Sequence, residues 1–269
     1  MAKNDKKNVE HKRTKIGEGC SGTVYREWCE ELERYVAVKV VDECPDRELE
    51  FMEVFRPFDV SSLLDCFVNE EGQYEIYMEY LSGRTMQEII EEGTMDWMER
   101  LYILRNLCRS FETIKKAYEW MVFSDLKPSN IMVDMKGETT IIDLEDVVLV
   151  GDLDGDWKAT PYYSAPEILR GTAYEESDLY NLGRTFEQMD WEVHLLFRML
   201  LVRGCIKTNH LQRTPLRKVI HRLELYLAGY RSVKKIYRML RKTGRHLIEI
   251  VVCICILVLG YDIIKFTLG

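Results

Sequence analysis

The sequence predicts an α+β chain in two lobes, a small strand-rich one followed by a larger helical one. Three observations carry this. From Thr14 to about Tyr80 the pattern is mostly that of strands: Val36-Ala37-Val38-Lys39-Val40-Val41 is apolar and β-branched, and Tyr74-Glu75-Ile76-Tyr77-Met78 alternates with period two. After Gly83 the period changes, and apolar residues recur at helical spacing over Met95–Tyr118 and Asp178–Met189. Glu79 to Gly83 forms a short joint between the two regimes. One helix interrupts the strands. Pro45 suits a first helical turn, and Leu49, Met52 and Phe55 then share a face.

Composition bounds the rest. With 269 residues, 46% hydrophobic and 30% charged, the chain has enough apolar material for one domain or one two-lobed unit. A formal net charge of -8 argues against general nucleic-acid binding, which needs a basic surface. The eight cysteines are scattered without zinc-type spacing and are expected as reduced thiols in a cytosolic setting. Residues 1–11 are expected as a basic disordered arm. They lack the apolar core of a secretory signal.

The chemistry-bearing residues come in a definite order. Ile16-Gly17-Glu18-Gly19-Cys20-Ser21-Gly22-Thr23-Val24 holds Gly-x-Gly-x-x-Gly-x-Val. A dinucleotide fingerprint would need a helix directly afterwards. Thr23-Val24-Tyr25-Arg26 instead continues as a strand, so the glycines sit in a β-turn-β loop. Lys39 then follows three apolar residues in a strand, an unusual place for an ammonium. Next come Phe123-Ser124-Asp125-Leu126-Lys127-Pro128-Ser129-Asn130, then Ile141-Ile142-Asp143-Leu144-Glu145, then Ala159-Thr160-Pro161-Tyr162-Tyr163-Ser164-Ala165-Pro166-Glu167. Asp178-Leu179-Tyr180-Asn181-Leu182-Gly183 and Gln212-Arg213-Thr214-Pro215 close the series.

On these motifs, residues 12–230 resemble the eukaryotic-type protein kinase family, serine/threonine class. The resemblance implies a bilobal protein-kinase fold, with an N-lobe over 12–82 and a C-lobe over 83–230. It implies ATP held under a glycine loop of Ile16, Gly17, Glu18, Gly19, Cys20, Ser21, Gly22, Thr23 and Val24. Ala37 would line the pocket, and Met78 would guard its back. Backbone groups of Glu79 and Leu81 would bind adenine. Lys39 would hold the α- and β-phosphates and pair with a helix glutamate. Glu48, Glu50 and Glu53 are available, and Glu48 is preferred because Phe51 and Met52 follow it at three and four positions. Asp125 would accept or orient the substrate hydroxyl proton, and Lys127 would neutralise charge on the transferring phosphoryl. Asn130 and Asp143 would hold Mg²⁺, with Mn²⁺ as an alternative. Thr160 would bond Asp125 and Lys127, Asp178 would support the catalytic loop, and Arg213 would pair with Glu167.

The chain departs from the family pattern in four places. Phe123 stands where the family has His and Ser124 where it has Arg. The usual Arg pairs with a phosphate on the activation segment, so its replacement implies activity independent of that phosphorylation. Glu145 replaces a permissive Gly and brings a second carboxylate toward the metal. The helix that docks substrates is shortened or missing, which leaves family-type substrate recognition open.

A separate signal lies at the C-terminus. Residues 231–246 carry Arg231, Lys234, Lys235, Arg238, Arg241, Lys242, Arg245 and His246 with no acid among them, and residues 247–268 are strongly apolar. Leu, Ile, Val and Phe at about 0.3–0.6 kcal/mol each outweigh Glu249, Asp262 and Lys265 when those charges lie off the bilayer centre. The expectation is a C-terminal apolar helix that spans a membrane, preceded by a basic juxtamembrane segment, with the kinase facing the cytosol. The alternative is a cytoplasmic chain with the tail packed on the large lobe or on a partner. For function, the expectation is transfer of the ATP γ-phosphoryl to Ser/Thr hydroxyls of a protein substrate. The alternative is a pseudokinase that binds ATP or scaffolds partners.

Overall fold

A computed structural model describes residues 13–19, 22–56, 58, 60–151, 160–190 and 192–243. The glycine-loop tip (Cys20, Ser21), the basic arm, Ala159 and the apolar segment 247–268 lie outside the described residues.

The N-terminal lobe is a five-stranded antiparallel sheet in the order β1-β2-β3-β5-β4. Its strands are β1 (Thr14–Gly19), β2 (Gly22–Cys29), β3 (Arg34–Val41), β4 (Leu63–Val68) and β5 (Tyr74–Glu79). Helix α1 (Asp46–Val54) lies between β3 and β4. Pro45 precedes it, and Asp46 and Glu48 in its first turn suit the positive end of the helix dipole. Glu48, Phe51 and Met52 form its buried face.

The start of β1 is clamped to the outer sheet face. Arg13 donates to Glu27 at 2.6 Å and to both carboxylate oxygens of Glu75 at 2.8 Å, and the Tyr77 hydroxyl adds a bond to Glu75 at 3.0 Å. The Arg13 guanidinium holds the Glu75 carboxyl down at about 2, against a partial opposing effect of burial. A carboxylate with a depressed folded pKa stabilises the fold above its unfolded pKa and loses that contribution as pH falls toward the folded value. Acidification from about pH 5 to about pH 2 should therefore lower the melting temperature, and Glu75→Gln should flatten that dependence. The Arg13 side chain is 31% exposed, so solvent screening limits this contribution to about 1 kcal/mol at neutral pH. Equal pH slopes for wild type and variant would refute this assignment.

After the short joint, β6 (Arg84–Thr85) leads into α2 (Met86–Glu92) and α3 (Trp97–Ala117). Both helices start on capping boxes, Thr85 with Glu88 and Asp96 with Glu99, each satisfying backbone donors that a helix start leaves open. Two small sheets follow. Strand β7 (Met121–Phe123) pairs with β10 (Val147–Leu149), and β8 (Ile131–Val133) lies between β6 and β9 (Thr139–Ile141).

Helix α4 (Ser177–Met189) is buried on nearly every face. A Cβ on its Gly183 would meet the Cβ of Cys205 at 2.6 Å, so the glycine sets how closely the next helical run approaches. That run starts as α5 (Leu195–Phe197), passes a π-helical turn (Arg198–Val202) and ends as α6 (Arg203–Cys205).

Helix α7 (Leu216–Thr243) lies antiparallel along α3. Arg109 reaches Glu224 at 2.7 Å, Arg231 stacks over Tyr102, and Lys234 sits 3.5 Å from Asp96 at the start of α3. The helix crosses residue 230 without a break. Residues 235–243 continue past the N-terminal start of α3, about 13 Å at 1.5 Å per residue. Among the described residues no helix is long and apolar enough to cross a membrane. One apolar core joins both lobes, running from Phe51, Met52 and Phe55 of the N-lobe to Phe111, Phe123, Leu126 and Leu144.

Candidate active site

The glycine motif is a β-hairpin in which Gly19 pairs with Gly22 across β1 and β2. A strand follows the glycines, which rules out the dinucleotide fingerprint. Gly22 has φ +138°, and a Cβ there would sit 2.2 Å from the Val40 carbonyl oxygen. Only glycine fits that close backbone approach. Glu18 is exposed and pairs with Lys15 at 2.6 Å, Ile16 is 48% exposed, and Val24 is half-buried against the core.

In β3, Ala37 pairs with Met78 of β5, and Lys39 with Ile76. The Met78 sulfur accepts the Ser61 hydroxyl at 3.7 Å. The Glu79 N–H is taken by the Ser62 carbonyl at 3.0 Å, so an adenine would have to use other backbone groups of this segment.

Lys39 is buried, with Nζ at 2.8 Å from both oxygens of Glu48. Asp143 Oδ1 lies 3.9 Å away and Glu145 Oε2 3.7 Å. Burial pulls the Lys39 pKa down, but the three carboxylates outweigh it and hold the ammonium charged. Burial raises the Glu48 carboxyl, and Lys39 only partly opposes this.

The catalytic-loop motif runs from β7 through a 3₁₀ turn (Pro128–Asn130) into β8. Asp125 accepts the Thr160 backbone N–H at 3.1 Å and the Lys127 ammonium, which also reaches the Thr160 hydroxyl at 3.3 Å. The Asn130 side-chain amide donates to the Asp125 carbonyl at 3.2 Å. Asp125, Asn130 and Asp143 line one recess with Phe123, Leu126, Asp146 and Val147. Residues far apart in sequence thus face one small space.

The loop is held from beneath. Asp178 is fully buried, accepts the Phe123 N–H at 2.7 Å and meets Lys115 at 3.1 Å. Burial raises its pKa against the pull of Lys115. Asn181, one helical turn on, donates to the carbonyls of Phe123 and Ser124 at 3.0 and 3.1 Å. The motif pattern alone gives Asn181 no role. Its signal is a polar amide three residues after Asp178 on the same helix face.

The departures from the family pattern have local explanations. Phe123 packs on Phe55 at 5.6 Å and Phe111 at 5.7 Å, so its ring serves as core. Ser124 is fully buried, and its hydroxyl donates to the Asp146 carbonyl. Glu167 and Arg213 pair through the two terminal guanidinium nitrogens, with Nη2 to Oε2 at 2.8 Å, and the Ser177 hydroxyl also binds Glu167. Burial works against the Glu167 charge, yet Arg213 and Ser177 keep its carboxyl below the usual range.

A glycine hairpin, a buried Lys–Glu pair and a carboxylate-lined recess meet at the junction of two lobes, and the protein kinase domain family matches residues 10–221. The chain belongs to that family. It is 28% identical over 197 residues to a probable serine/threonine-protein kinase CPE1738 of Clostridium perfringens, covering 65% of this chain and 27% of the relative. It is 28% identical over 195 residues to serine/threonine-protein kinase CLA4 of Candida albicans, covering 66% and 20%. Identity is 31% over 182 residues to a probable serine/threonine-protein kinase KIN1 homolog of Enterocytozoon bieneusi, covering 62% and 30%. The matched region is therefore less than a third of each of these relatives.

Proposed function

We propose that this chain is a serine/threonine protein kinase that transfers the γ-phosphoryl of ATP to protein hydroxyls. The observation that carries the reading is the convergence of Asp125, Asn130 and Asp143 on one recess beside a formed Lys39–Glu48 pair. A carboxylate and an amide supply hard oxygen donors that suit Mg²⁺, and a Cβ at Gly19 would meet no atom within 4 Å, so the hairpin backbone there is open to a phosphate. When bound, the metal ion and nucleotide supply charge neutralisation and the transferred phosphoryl.

The chain's own residues do the rest. Glu48 fixes the Lys39 ammonium toward the α- and β-phosphate position. Asn130 and Asp143 would hold the metal. Asp125, pinned by the Thr160 N–H, takes up or orients the proton of the attacking hydroxyl. Lys127 places a positive charge between Asp125 and the incoming phosphoryl. Ser124 offers no cation to a phosphorylated segment, so this activity needs no such modification. The test is γ-phosphate transfer from radiolabelled ATP to a protein substrate, with Asp125→Asn as control and both Mg²⁺ and Mn²⁺ supplied. Transfer no greater than the control leaves the pseudokinase reading.

The same proposal includes membrane tethering through residues 247–268. The supporting observation is the basic composition of 231–246 directly before an apolar run. The kinase then faces the cytosol. Full-length protein should resist carbonate extraction from membranes, and a chain truncated after residue 246 should be released. Full-length protein found wholly in the soluble fraction would overturn the tether.

A further inference from the structure

Three carboxylates surround the Lys39 ammonium, and the kinase reading uses two of them. Glu48 is its paired acid, and Asp143 belongs to the metal. Glu145, with Oε2 at 3.7 Å, has no part in that reading.

Its placement is tightly determined. Leu144 before it is buried in the core, and the Glu145 N–H turns back to Asp143 Oδ1 at 3.3 Å. The Asp146 carbonyl after it accepts both the backbone N–H and the hydroxyl of Ser124, and Val147 pairs with Phe123. With the backbone pinned on both sides, the side chain projects into the recess under the glycine hairpin that Gly19, Gly22 and Glu48 also line. Its Oε2 is turned away from solvent.

We infer that Glu145 is a positioning residue, a second acceptor that keeps the Lys39 ammonium at the phosphate site when its bond to Glu48 is absent. This rests on the kinase reading of the cleft. The physics is that of several like charges sharing one counter-charge. While Glu48 is bonded, Glu145 gains from Lys39 but is repelled by Glu48 and Asp143. Once Glu48 is neutral, that repulsion weakens and Glu145 becomes the nearer of the two remaining acids. A chain with glycine at this position has no such substitute.

The prediction is a coupling between positions 48 and 145. Glu48→Gln, Glu145→Gln and the double variant of the full chain are compared by two readouts. One is the KM for ATP set against kcat, together with the affinity for a fluorescent ATP analogue with Mg²⁺. The other is the unfolding equilibrium of the nucleotide-free protein in denaturant. Glu145→Gln should cost at least about fivefold more nucleotide affinity in the Glu48→Gln background than in wild type, within the range expected for residues sharing a partner. The loss should fall on KM more than on kcat. The unfolding constant should show the same background dependence. Equal effects of Glu145→Gln in both backgrounds, by both readouts, would overturn the inference. Should wild type bind no nucleotide while the unfolding cycle still shows coupling, the kinase reading fails and the Lys39 pairing stands. Glu48→Asp, which draws the carboxylate back by one methylene, runs the same cycle if Glu48→Gln does not fold.

Discussion

Asp125→Asn should lower kcat for phosphoryl transfer by about 100- to 10,000-fold, the range for removing a positioned general base. The substitution is nearly isosteric. The amide oxygen can still accept the Thr160 N–H, and the bond from the Asn130 side-chain amide to the Asp125 backbone carbonyl does not involve the Asp125 side chain. What is lost is the negative charge facing the substrate hydroxyl and the charge partner of Lys127. The loss should therefore appear in kcat, with ATP affinity and thermal stability close to wild type, because an interaction used only in the transition state leaves ground-state binding intact. Steady-state kinetics and calorimetry separate these outcomes. A variant within about tenfold of wild-type kcat would remove Asp125 from the base role.

How far this site could be read from sequence depended on whether each signal was local. Lys39 was legible because an ammonium after three apolar strand residues must find a partner. Glu48 was legible because Phe51 and Met52 follow at the spacing of one helix face, and that face is the buried one. Gly22 stood out as a glycine in a strand–turn–strand motif, and its close approach to Val40 explains it. Glu145 could be flagged as a departure but not placed. Its reach toward Lys39 depends on how Leu144 and Val147 anchor the turn, which is set by tertiary packing. Asn181 was missed for a similar reason, since its two acceptors are carbonyls 57 and 58 residues away. The change of composition at residue 231 marks no change of structure. Val219, Leu223 and Leu227 bury one face of α7, and the Lys, Arg, Met and Leu that follow are good helix formers. The helix therefore carries on past the N-terminal start of α3, with Lys235 and Arg238 exposed on it.

Arg213→Ala should produce the largest loss of stability in the C-lobe, about 3–5 kcal/mol, the usual cost of stranding one member of a buried ion pair. The Arg213 side chain is fully shielded from solvent, and its guanidinium serves four acceptors: both Glu167 oxygens and the carbonyls of Glu176 and Lys207. Alanine leaves the Glu167 carboxylate without its counter-charge and two carbonyls without their donor. The guanidinium also stacks over the Tyr180 ring, an attraction that alanine cannot supply. For a domain of this size the cost corresponds to a fall in melting temperature of about 6–20 °C. Arg213→Lys should fall between, because an ammonium keeps the charge but cannot span both carboxylate oxygens in one plane. Replacing both partners with apolar residues of similar volume should cost less than Arg213→Ala alone, since no charge is then left buried. Acidification provides a further check. The Glu167 carboxyl is held below its ordinary value, so the pair stabilises the fold above the unfolded carboxyl pKa and weakens as pH falls below it. The gap between wild type and Arg213→Ala should therefore narrow in acid, measured by denaturant unfolding at neutral and low pH. A gap that is small at neutral pH, or constant across pH, would show that Arg213 contributes through packing rather than through its charge.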